Sequence, residues 1–80
     1  MSLHEQLLAF IKNTDVVLAE DFGSDTSLIR SGLFDSLALF QLFLWVEKKF
    51  GSPIDLLSFD LAAEWDTVND IVRFIEARRA

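Results

Sequence analysis

From Leu37 to Phe50 the chain reads as one unbroken helical segment with a hard stop behind it, and everything else must fold around that rod. Lys48 and Lys49 in its last turn complement the negative end of the helix dipole, Gly51 offers a left-handed terminator, and Pro53 forbids continuation. The start is equally sharp. Gly32, Leu33, Phe34, Asp35, Ser36 and Leu37 convert a stretch rich in Asp, Ser, Thr and Gly into helix, so the segment opens at Ser36 or Leu37 and places one hydroxyl at the junction.

Two further helices flank this one. Ser2 and Glu5 have capping-box spacing, and Leu3, Leu7, Phe10 and Ile11 recur on one face, which predicts a first helix over residues 3–13. Asp66 or Thr67 caps a last helix with Val68, Ile71, Val72 and Ile75 inward and Arg78 and Arg79 at its C-terminus. Between them, residues 58–64 suit one or two turns. Residues 13–35 have no sustained period; Val16, Val17, Leu18, Phe22, Leu28 and Leu33 are scattered apolar anchors that pin a long loop to a core. Loops of that length are usually functional. There is no period-two segment, repeat or low-complexity tract. The expectation is an all-α four-helix bundle with a long loop between helices one and two and a short third helix, residues 1–80 forming one domain.

Eighty residues lie near the low end of what a core holds together unaided, and with no cysteine there is neither a disulfide nor a thiolate metal site. Stability must come from packing, and any thiol chemistry must be imported. The longest apolar run, Leu37 to Val46 interrupted by Gln41, is about half of a bilayer span, and no signal-peptide pattern opens the sequence, so a cytoplasmic protein without direct membrane insertion is expected. Thirteen acids against seven bases give a net charge of −6, which repels nucleic acid and suits partners with basic surfaces.

If Ser36 is the N-cap, it sits beside the unpaired N–H groups of the first turn, where a phosphate on its oxygen is stabilised. Asp35 next to it could order the hydroxyl or help ligate a divalent metal brought by a modifying enzyme. An isolated Asp-Ser pair before a helix is most simply a cap and a first-turn acid, so context must decide. Nucleophilic catalysis is disfavoured: it needs a positioned base, the single histidine is His4 in the first turn of helix one, which reads as an exposed polar residue, and no G-x-S-x-G elbow occurs. No catalytic or resident metal-ligating residue is assigned.

Placing helix two at about 100° per residue separates two apolar faces. Leu39, Leu42, Phe43, Val46 and Phe50, with Ala38 at the edge, form the core stripe. Leu37, Phe40 and Leu44 fall on a second stripe with Gln41, Glu47 and Lys48, beside Ser36. A small monomer rarely exposes such a patch without using it. Phe40 and Leu44 are open to two readings, an exposed docking stripe or a surface covered by the long loop, whereas Leu37 stays accessible. Trp45 lies between the stripes and is expected to be wrapped by the loop.

At this point the chain resembles the acyl carrier protein superfamily, including acyl, peptidyl and D-alanyl carriers, over essentially all 80 residues. The signature is Asp35, Ser36, Leu37 opening helix two; the helix ending Glu47, Lys48, Lys49, Phe50, Gly51, the long loop and the short third helix support it. The resemblance implies that a separate phosphopantetheinyl transferase attaches 4′-phosphopantetheine from coenzyme A to Ser36, with Asp35 and Leu37 completing the motif. The arm then supplies the missing thiol, which carries acyl or aminoacyl groups as thioesters between an adenylating enzyme and a downstream acyltransferase or synthase. Leu37, Phe40, Gln41, Leu44 and Glu47 become docking residues, with further charge from Asp35 and from Asp55 or Asp60. The protein is then a monomeric carrier and not an enzyme.

Two departures bear on the subtype. Carriers of fatty acid synthesis place glycine three before the serine and line helix two with acids; here Gly32 is four before, and Ala38, Gln41 and Lys48 occupy much of the outward surface. Phe59, Asp60, Trp65, Asp66, Thr67, Asn69 and Ile71 are similar to D-alanyl carriers, with one more residue between Asp60 and Trp65 and Val68 where proline is common. Trp65 itself reads as packing for the short helix. The alternative to a carrier is an unmodified helical module that offers Leu37, Phe40 and Leu44 to a partner helix.

Overall fold

Ser2 begins the described structure by capping a helix: its Oγ accepts from the Glu5 amide at 3.2 Å, the first bond of a capping box, and donates to the Glu5 carboxylate at 3.3 Å, so Glu5 turns back to the Ser2 hydroxyl where a full box would use the Ser2 amide. The computed structural model describes residues 2–14, 18 and 20–79, without the side chains of Leu56 and Arg79; Val16 and Val17 lie outside the described residues. Helix α1 spans Leu3–Lys12, one residue shorter than expected, because Asn13 already turns its amide back to the Phe10 and Ile11 carbonyls as the C-cap. Helix α2 spans Ser36–Phe50, α3 Leu61–Glu64 and α4 Val68–Arg79, and no strand occurs among the described residues. The architecture is the expected all-helical bundle with a short third helix. None of these helices is long and apolar enough to cross a membrane.

Helix α4 is the hub and packs against α1, α2 and α3. Val68, Ile71, Val72 and Ile75 are buried on it as expected, and so is Phe74, which the sequence reading passed over. They meet Leu7 and Ile11 of α1 and Ala38, Leu42 and Val46 of α2. The expected core stripe of α2 is therefore rotated: Ala38 is buried and not at the edge, while Leu39, Phe43 and Phe50 are half-buried. The cause is the position of α4, which approaches the line of Ala38, Leu42 and Val46 and leaves Leu39 and Phe43 toward α3. Trp45 is half-buried too, and its ring packs on Phe10 of α1 at 5.7 Å with the Lys49 ammonium over it.

The segment after α2 breaks earlier than expected. A 3₁₀ turn over Leu56–Ser58, capped by Asp55, precedes α3, and the two are separated by Phe59 in extended backbone. That break sends the Phe59 ring inward to lie 5.4 Å from Trp65 and 4.7 Å from Phe74, so aromatic burial outweighs helical continuity here. Gly51 ends α2 in the left-handed conformation at φ 81°, where its amide donates to the Glu47 carbonyl. Thr67 caps α4, its Oγ1 accepting from the Asp70 amide at 3.0 Å. Asp66 is thereby released for another task.

Candidate functional site

The loop leading to Ser36 is held by that task. The Asp66 carboxylate accepts from the Ser27 hydroxyl at 2.8 Å and from the amides of Ile29 at 3.0 Å and Arg30 at 2.9 Å, while its carbonyl accepts from the Leu28 amide. Ser31 then closes on the Ser27 carbonyl at 2.7 Å, and the Phe34 amide on the Leu28 carbonyl at 3.0 Å. Gly32 turns the chain at φ 76°, a conformation a side chain strongly disfavours. Leu28 and Phe34 are buried in the core. Residues 27–34 thus form a knot clamped to the α3–α4 junction, and the chain leaves it directly into α2. Burial pushes the Asp66 carboxyl upward, but the Arg30 amide, the Ser27 hydroxyl, the Ile29 amide and the Arg30 charge together hold it below the ordinary carboxylate range.

At the junction, the cap is Asp35 and not Ser36. The Asp35 Oδ1 accepts from the Ala38 amide at 2.8 Å and its carbonyl from the Leu39 amide at 2.9 Å. A carboxylate outcompetes a hydroxyl there because it is a stronger acceptor facing the positive end of the dipole. Ser36 becomes the first helical residue, exposed, with no hydrogen bond to its hydroxyl among the described residues. The amides of Ser36 and Leu37 have no acceptor within the helix, so the hydroxyl stands beside free donors. Asp35→Ala is expected to cost about 1 kcal/mol in denaturant unfolding, and Asp35→Asn only a few tenths, because the amide oxygen still caps.

No base addresses the serine among the described residues. His4 is half-buried and not exposed: its Nε2 lies 2.8 Å from Asn69 Oδ1, and Asn69 in turn bonds Asp25 and the Ser24 carbonyl. The one histidine therefore staples α1, α4 and the loop. A nucleophile–base pair is not assembled at Ser36.

The remaining sequence-predicted residues separate by environment. Leu37, Phe40 and Leu44 are 62, 58 and 48 % exposed, so among the described residues the loop does not cover them, and Gln41 is exposed on the same face. Glu47 is half-buried, its Oε2 accepting from the Ile54 amide at 2.8 Å, which ties the α2–α3 connection to α2. Asp55 and Asp60 each accept from an amide two residues on and cap the short helical turns. What sequence reasoning missed is a cavity of about 350 Å³ lined by Ser36, Leu39, Phe40, Phe43, Leu61 and Trp65. Its signal was only the apolar position pairs Leu39–Phe43 and Leu61–Trp65, which the rotation of α2 turns toward one another.

An exposed, unbonded hydroxyl at a helix start beside an apolar cavity fits a phosphodiester-linked arm: the anion meets free amides and the apolar part has a wall to lie on. Comparison with known proteins agrees. The family described as "Phosphopantetheine attachment site" matches residues 6–75. The acyl carrier protein of Chlamydia trachomatis serovar D is 35% identical over 79 residues, 99% of each chain. D-alanyl carrier proteins are similar as well: that of Leuconostoc mesenteroides subsp. mesenteroides is 30% identical over 79 residues, 96% of each chain, and that of Lactobacillus helveticus 38% identical over 53 residues, 66% of each. No solved structure matches the chain significantly. With the family description spanning nearly the whole bundle, the protein belongs to the acyl carrier protein superfamily, whose members hold 4′-phosphopantetheine covalently.

Proposed function

We propose that Ser36 is the attachment serine and that the chain is a free, monomeric, cytoplasmic carrier of acyl or aminoacyl groups rather than an enzyme. The observation that carries this reading is the placement of Ser36: first residue of α2, exposed, its hydroxyl unengaged, at the rim of the apolar cavity. When bound, the prosthetic group supplies the thiol that a chain without cysteine lacks, and cargo rides on it as a thioester. The chain's own part is presentation. The Asp66 knot holds residues 27–34, Asp35 fixes the first turn, and together they point Ser36 outward at a set angle. The absence of a base beside Ser36 among the described residues suits a serine modified by another enzyme.

Carrier proteins of this superfamily work with phosphopantetheinyl transferases and with activating or acyl-transfer enzymes. For this chain the docking face is Leu37, Phe40, Gln41 and Leu44, with Glu47 at its lower edge and Asp35 above. Lys48 and Lys49 offset the two acids Asp35 and Glu47, so α2 with its cap is close to neutral and apolar contact dominates. Exchanging Leu37 and Phe40 together for serine is expected to lower kcat/KM of the transferase about tenfold or more, with thermal stability nearly unchanged. Fluorescent coenzyme A labelling and a melting curve read the two effects separately.

The test of the function is direct. The protein is incubated with coenzyme A, magnesium and a broad-specificity phosphopantetheinyl transferase, and the intact mass is read. One phosphopantetheinyl group is expected; no gain would sink the carrier reading and favour the second one, an unmodified module that offers Leu37, Phe40 and Leu44 to a partner helix, for which their exposure speaks. Offering the loaded protein to adenylating enzymes with D-alanine, other amino acids or fatty acids, and weighing the product, distinguishes aminoacyl from acyl carriage. The likeness of residues 59–71 to D-alanyl carriers and the relatives of both names make D-alanine the first substrate to try.

A further inference from the structure

Lys48 stands on the docking face with nothing in this chain to pair with. At about 100° per residue it falls within about 20° of the line through Leu37, about three turns and 16 Å further along α2, with Leu44 between them. It is exposed, and its ammonium makes neither a hydrogen bond nor an ion pair among the described residues, whose ion pairs are Arg73–Asp70 and Arg78–Glu64. Helical spacing gives it no acid: the positions three and four away hold Leu44, Trp45, Gly51 and Ser52. The other charges of the helix are engaged. Lys49 bonds Gln6 and lies over the Trp45 ring, the Glu47 carboxylate holds the Ile54 amide, and Asp35 at the far end caps on Ala38.

The net charge of −6 does not describe this face. Exposed Glu5, Glu20, Asp21, Asp25 and Glu76 lie on α1, α4 and the long loop, so a basic surface is favoured at long range. The contact strip of Leu37, Phe40, Gln41 and Leu44 nevertheless ends in an uncompensated cation. When that strip is covered, Lys48 loses water at the rim of the contact. An unpaired charge there costs affinity, a second cation costs more, and a carboxylate offsets the loss.

We propose that Lys48 selects the partners of this face: it fits an enzyme surface that sets an acidic side chain beyond an apolar pocket for Leu37, Phe40 and Leu44, and it turns away a surface with a base at that place. This gives the docking face described above its partner chemistry and rests on Ser36 being the attachment serine. Lys48 lies more than three turns from Ser36, so it acts on recognition and does not touch the transferred group.

The test compares wild type, Lys48→Ala and Lys48→Glu as full chains, with melting curves confirming the fold. Treatment to completion with the broad-specificity transferase, read by intact mass, establishes that each accepts one arm. The kinetic probe is a second transferase, one that serves acid-lined fatty acid carriers and has a docking surface rich in Arg and Lys. Its kcat/KM is expected to rise about threefold in Lys48→Ala and about tenfold in Lys48→Glu, through KM with kcat unchanged, and the gain is expected to shrink in about 0.5 M salt. The basic residues of that docking surface are then exchanged for Glu one at a time. At one of them the order is expected to reverse, wild type becoming the better substrate and Lys48→Glu the poorer. If Lys48→Glu is no better than wild type with the unaltered probe, or if no exchange reverses the order, the proposal is overturned and Ser36 attachment stands. If the broad-specificity transferase adds no arm to any of the three chains, it is the attachment reading that fails.

Discussion

Ser36→Ala is expected to take up no phosphopantetheinyl group while folding like the wild type. Ser36 is exposed and makes no side-chain hydrogen bond among the described residues, so its hydroxyl contributes little to the fold. Alanine at the first helical position is compatible with the backbone, and the cap stays on Asp35, whose carboxylate bonds the Ala38 amide. Unfolding free energy is expected to change by no more than about 0.5 kcal/mol. Loading is expected to fall from one group per chain to none, read by intact mass under identical transferase treatment. Attachment in both proteins would move the site elsewhere. Had Ser36 been the N-cap, the same substitution would cost about 1 kcal/mol as well, so the melting curve tests the corrected capping assignment independently.

Asp66→Asn has the largest expected effect on stability. The carboxylate gathers the Ser27 hydroxyl and the amides of Ile29 and Arg30, and hydrogen bonds to a charged acceptor are stronger than neutral ones. All three donors meet the same oxygen, Oδ1, so an asparagine oxygen in its place keeps them only as neutral hydrogen bonds and gives up the charge that strengthens each of the three. A loss of about 2–3 kcal/mol is expected, which for a domain of this size lowers Tm by about 10–20 °C. The pH dependence carries a signature. Because the folded-state pKa is depressed, the stabilisation is fully present above the unfolded value of about 4 and is lost as pH falls through the lower folded value. The gap between wild type and Asp66→Asn is therefore constant near neutrality and narrows on acidification below about pH 4. A gap that stays constant down to pH 2 would show that the charge of Asp66 is not what holds the knot.

These two substitutions divide the site into its chemistry and its support, and the two differ in how they can be read. Ser36 and its neighbours are legible because the grammar is local: a glycine turn, an acid, a hydroxyl and a helical period lie within a few positions. The helix stop at Gly51, the Ser2–Glu5 box and the inward face of Val68, Ile71, Val72 and Ile75 are local in the same sense. Asp66 was legible only as a cap candidate. Its adjacent competitor, Thr67, caps α4 equally well, and nothing in the order of residues says that Ser27 to Arg30, some 36 to 39 positions earlier, need a carboxylate more. His4 follows the same logic, since its partner Asn69 is 65 positions away.

The sequence by itself determined the helices, the second apolar stripe of Leu37, Phe40 and Leu44, and the hydroxyl at the start of α2, because propensity, capping and period act over a few residues; that Phe40 and Leu44 stand exposed came from the structure. Only the tertiary structure decided which side of that helix is core and where an apolar cavity opens. Each depends on how α4 meets α2, a rotation of one residue position that moves Ala38 inward and turns Leu39 and Phe43 toward Leu61 and Trp65. Packing of whole helices sets that angle, through contacts between residues distant in sequence, and a helical period alone leaves it free.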